Sequence, residues 1–142
     1  MGRSKSGLFL MELIIAIAFF AVSSAICIQL FALAHSLSAR SIATQMAVIN
    51  AQTAAETFKV AAGDMDYFAR LLQADLVSDS IVANFDSNWT RTTVAENVQY
   101  SMFVYQNIVN NMATAIITIS NRTDGTEVYS LTVNKYLGLG VN

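Results

Sequence analysis

Residues 13–34 form an almost unbroken apolar run in which Ser23, Ser24 and Gln29 are the clearly polar positions. As a helix rising about 1.5 Å per residue, the run covers roughly 33 Å, enough to cross a hydrocarbon core. The helical pattern then continues from His35 without a breaker. Ala39, Ala43, Ala47, Ala51 and Ala55 recur every fourth residue, and Ile42, Met46 and Ile49 form a neighbouring apolar ridge. The chain contains no proline, so nothing interrupts a single helix over residues 8–62, roughly 80 Å long. Its two halves differ in character: 8–34 suits a membrane, and 35–62 is amphipathic. Gly63 follows as the residue just past the helix end, where a left-handed backbone is common.

The remainder, 63–142, reads as a small globular head. Asp64 can cap a second helix over 65–77, in which Phe68, Leu71, Leu72 and Leu76 keep the 3.6-residue period. Residues 78–93 read as a loop anchored by Ile81, Val82, Phe85 and Trp89. The stretch 98–108 is rich in β-branched and aromatic residues, with Val98, Tyr100, Met102 and Val104 on one face by alternation. Segments 113–120 and 127–136 flank Asp124-Gly125, a hairpin signal. The pattern predicts an α+β fold: one long helix on a three-stranded antiparallel sheet, with 137–141 available as a short fourth edge.

Composition narrows the function. Eight basic against ten acidic residues, with no Lys/Arg cluster, disfavour nucleic acid as a partner, because phosphate neutralisation needs concentrated positive charge. The one cysteine, Cys27, lies inside the apolar run, so no intrachain disulfide forms and no zinc or redox set is assembled from cysteines. His35, the one histidine, falls just past the run and reads as an interfacial residue rather than a ligand or base. Asp86-Ser87-Asn88 lacks the glycine and distal glutamate of a calcium loop and reads as a solvated turn. Trp89 and the tyrosines read as core and sheet-face residues. No phosphate loop, nucleophile elbow or metal spacing is present. The expectation is a structural protein, not an enzyme, with no cofactor and no metal.

One residue resists the plain picture of a membrane anchor. Glu12 stands at the mouth of the apolar run, behind a leader that carries Arg3 and Lys5. A carboxylate at the centre of a span costs about 2.5–3.5 kcal/mol, less near an end, and such a group is a functional candidate by default. A secretory signal with cleavage after Ala34 would have an apolar region shorter than this run and no acid within it. A single-span anchor, with Arg3 and Lys5 holding the N-terminus in the cytoplasm, accounts for the length but gives Glu12 no role.

The order Ser6-Gly7-Leu8-Phe9-Leu10-Met11-Glu12, a short polar leader ending in glycine with glutamate fifth after it, resembles the N-terminus of type IV prepilins and pseudopilins. The resemblance covers roughly residues 3–34. It implies cleavage between Gly7 and Leu8 by a membrane prepilin peptidase, N-methylation of Leu8, and a subunit-assembly role for Glu12 opposite the freed amine of a neighbouring subunit. It further implies a pilin-like fold and other pilin-like subunits, an assembly platform protein and an ATPase as partners. The cytoplasmic membrane would hold the chain by a single pass, with the N-terminus in the cytoplasm and the head outside, before a cell-surface filament forms. Ser6 stands where family leaders carry a basic residue, and Leu8 where Phe is usual. With no proline in the run and no disulfide loop, the resemblance leans towards a minor pilin or pseudopilin. The alternative is a membrane-anchored extracytoplasmic binding domain.

Overall fold

The computed structural model describes residues 5–61 and 63–138. The leader residue Arg3, the expected helix end at Ala62 and the expected edge at 139–141 lie outside them. Two compact units are present, Met1–Ser41 and Ile42–Asn142.

Helix α1, Lys5–Ala61, runs for 57 residues, about 86 Å at the usual rise. Within the first unit nearly every residue is exposed, and no side chain there is buried among the described residues. Two hydroxyls bond to the helix's own backbone: Ser24 Oγ donates to the Phe20 carbonyl at 2.8 Å and Ser36 Oγ to the Leu33 carbonyl at 2.9 Å.

The second unit holds the core. In α1, Ala47, Ala51, Ala54, Ala55, Phe58 and Ala61 are buried, which is the repeating i, i+4, i+7 pattern of one helix face. Among these six residues Phe58 is the one large side chain, and its ring is fully buried. The expected ridge does not share this burial: Ile42 and Ile49 remain exposed. The C-terminus of α1 is tied down by the Lys135 ammonium, which donates to the Lys59 carbonyl; a cation there also opposes the helix dipole. Gly63 takes φ +95° as expected, and a Cβ on it would press to 3.3 Å from Leu137 Cδ1.

Helix α2, Met65–Leu72, starts where the sequence indicates, with the Asp64 carboxylate accepting from the Tyr67 N–H. It ends five positions before the expected Val77. Gln73 adopts a left-handed C-cap whose N–H donates to the Ala69 and Arg70 carbonyls, and the chain turns out of the helix. Leu76 and Val77 therefore belong to strand β1, Asp75–Val77, not to the helix. The expected loop is also largely strand: β2, Ser80–Phe85, alternates buried Ile81, Ala83 and Phe85 with half-buried Ser80, Val82 and Asn84.

After a short 3-10 turn, Ala95–Asn97, come β3 (Tyr100–Val109), β4 (Met112–Asn121) and β5 (Glu127–Tyr136). The sheet is thus a five-stranded antiparallel meander in the order β1-β2-β3-β4-β5, not three- or four-stranded. Asn110 and Asn111, both at positive φ, make the tight β3–β4 turn. At Asp124-Gly125 the hairpin is longer than two residues: the Asn121 N–H donates to the Thr126 carbonyl, and the Asp124 carboxylate takes both the N–H and hydroxyl of Thr126. One face of the sheet carries Ile81, Met102, Val104, Ala113, Ala115, Ile117 and Ile119 into a single core with the buried stripe of α1 and with Phe68 and Leu72 of α2. Phe58 and Phe68 meet at 5.7 Å between ring centroids.

Candidate functional site

The residues that sequence reasoning singles out lie in the first two turns of α1. Leu8 and Glu12 stand four residues apart and so share a helix face. Leu8 is 65% exposed, and Glu12 is exposed as well. No described residue forms an ion pair with Glu12; the ion pair present among them joins Lys59 to Glu56 at 2.8 Å in the second unit.

Gly7 is helical here, and a Cβ built on it would meet nothing within 4 Å. Among the described residues, neither a positive φ nor a close neighbour requires glycine at that position, where it costs roughly 0.5–1 kcal/mol of helix stability relative to alanine. Both Gly7 and Glu12 are therefore unexplained by the folding of the chain that carries them.

The helix beyond them is apolar on every side. Its most apolar 18-residue stretch has mean hydropathy 2.5 and none of it is buried. Phe19, Phe20 and Phe31 are 75%, 75% and 80% exposed. A helix hydrophobic all round demands either a membrane or a surrounding shell of protein, and α1 is long and apolar enough to cross a membrane. Cys27 is a free thiol on this surface, and His35 is exposed on the same helix. Among the described residues, no group of three or more His, Cys, Asp or Glu gathers as a metal site.

No family model, curated protein or solved structure matches the chain.

In the head, the Asp86-Ser87-Asn88 segment is a turn whose carboxylate is already used, accepting from the N–H groups of Asn88 at 2.8 Å and Thr90 at 2.9 Å. It carries Trp89 back onto Tyr100, with rings stacked at 4.2 Å. The Arg91 guanidinium lies 4.8 Å over the Phe85 ring, and burial lowers its pKa from the ordinary arginine value. This cluster closes one end of the core; Tyr105 and Tyr136, by contrast, are exposed. Sequence reasoning did not find the polar residues on the sheet's other face, Asn84, Ser101 and Ser120. Their only signal is the cross-strand register, which aligns Asn84 with Ser101 and Ser101 with Ser120.

Proposed function

We propose that this chain is a structural subunit, a minor pilin or pseudopilin, of a type IV pilus-like or type II secretion-type filament. The observation that carries the reading is the pair of unexplained residues at the start of α1. Among the described residues Gly7 has no packing or backbone reason, and Glu12, a carboxylate at the mouth of a span, has no ion-pair partner. A peptidase that requires glycine at its cut accounts for the first. The amine freed at Leu8 of a neighbouring subunit accounts for the second.

The energetics suit a register device. Apolar helices gain little from one another in lipid, because the lipid tails are equally apolar. At an effective dielectric near 20, opposite charges about 4 Å apart attract by roughly 4 kcal/mol. Desolvation offsets part of this, so the net preference is smaller. The attraction is available only at one axial offset, so it discriminates a docked subunit from a slipped one. In this reading the chain waits in the cytoplasmic membrane with its head outside, and an assembly ATPase and platform protein move it into the filament. It carries out no catalysis of its own.

The test replaces Glu12 by alanine and follows the chain in cells that assemble such filaments. Glu12→Ala is expected to reach the membrane at parental levels and to be depleted from sheared surface filaments. Equal incorporation of the variant and the parent would overturn the assembly role.

A further inference from the structure

The face of the sheet turned away from α1 carries an open trough of about 480 Å³, large enough for a small ligand. Its floor is a polar rung running across three strands. Asn84 of β2 pairs with Ser101 of β3, which pairs with Ser120 of β4. Ser101 is only 5% exposed although it is polar and points away from the core, and its hydroxyl donates to Asn84 Oδ1 at 2.8 Å. That bond occupies the Asn84 acceptor and leaves the two amide N–H donors without a partner among the described residues.

Arg122 adds donors on the same side. Its backbone N–H donates to the Gln99 carbonyl at 2.8 Å, which fixes the residue two positions beyond Ser120, just past the end of β4. Its guanidinium makes no hydrogen bond or ion pair among the described residues. Beside the rung, Phe103 offers a ring that is 45% exposed. The lining thus sets the unused Asn84 and Arg122 donors beside the Ser101 and Ser120 hydroxyls and an aromatic face.

We propose that this trough binds a carboxylate-bearing sugar unit. The carboxylate would accept from Arg122 and from the Asn84 amide, a charge-assisted arrangement stronger than neutral hydrogen bonds. The apolar face of the sugar ring would lie on Phe103, and its hydroxyls would exchange hydrogen bonds with Ser120, while Ser101 holds the Asn84 amide in place. Glu127, the acid on the same rung, is paired with Ser120 one strand further on and lies outside the lining, so the ligand's anionic end belongs at the Arg122 side. Asp124, in the adjoining hairpin, is engaged with Thr126. The proposal concerns the head alone and stands whether or not the chain enters a filament.

Backbone amide shifts of the full chain in detergent micelles, titrated with sodium D-glucuronate, test it. Saturable shifts at Asn84, Ser101 and Ser120 are expected at millimolar concentration. Arg122→Gln should weaken the apparent affinity about tenfold or more, and Phe103→Ala should weaken it several-fold; both side chains are outside the core, so the remaining spectrum reports intact folding. Absence of saturable shifts in the parent chain would overturn the proposal. Equal binding of D-glucose would overturn the role of the carboxylate, and equal binding of an acetylated tri-aspartate peptide would overturn the assignment to a sugar.

Discussion

Replacing Phe58 by alanine tests the proposition that the second half of α1 is the central element of the head. Phe58 is 0% exposed and sits where the alanine stripe of the helix meets α2 and the sheet. Returning a fully buried aromatic to water costs about 1.5–3 kcal/mol. Loss of the tilted contact with Phe68, at 5.7 Å between centroids, adds about 0.5–1.5 kcal/mol. With the cavity left behind, the total falls in the range of about 3–5 kcal/mol known for such truncations. In a domain of this size that lowers the midpoint of thermal unfolding on the order of 15–30 °C. Val60, two residues on in the same helix, is 64% exposed, so Val60→Ala should change stability by less than about 0.5 kcal/mol. Near-UV circular dichroism of the full chain in micelles follows the aromatic core. The apolar first part of the helix should remain helical as that signal is lost. A Phe58→Ala loss below about 1 kcal/mol, or parity with Val60→Ala, would refute the packing argument.

Two local features make further predictions. Asp64→Ala removes the acceptor for the Tyr67 N–H and should cost about 0.5–2 kcal/mol in chemical denaturation; no change would mean that α2 is held by packing alone. Asn110→Val forces a β-branched residue to φ 51° in the β3–β4 turn and should cost about 1–2 kcal/mol, read as faster amide exchange at the adjoining ends of β3 and β4. An unchanged exchange pattern there would count against the tight turn.

The parts of the fold legible in the sequence are those where a local signal and the tertiary outcome agree. The long helix follows from a proline-free apolar pattern, and Gly63 and Asp64 mark its end and the next start because a positive φ and a cap each demand particular residue types. Strand β5 has the expected limits. The β1–β2 hairpin was hidden for a physical reason. Leu76 satisfies the helical period of α2, while Gln73, which breaks that helix, is not a type that favours the left-handed region. In β2, Val82 lies between buried Ile81 and Ala83, so the alternation is blurred and the run resembles a loop with anchors. Burial of Ala47, Ala51 and Ala55 rather than Ile42 and Ile49 could not be chosen beforehand, because the sheet decides which stripe it covers. Under the proposed function, Gly7, Leu8 and Glu12 serve molecules other than this chain, so its own fold gives them no local reason.

The mature N-terminus tests the central claim most directly. The chain should be purified from membranes of cells that contain a prepilin peptidase, and its intact mass and N-terminal peptide measured. The account predicts a chain beginning at Leu8 with a methylated amine, and a Gly7→Val variant that retains its leader. A parent chain that still carries residues 1–7 in those cells, or one that begins at His35, would contradict it.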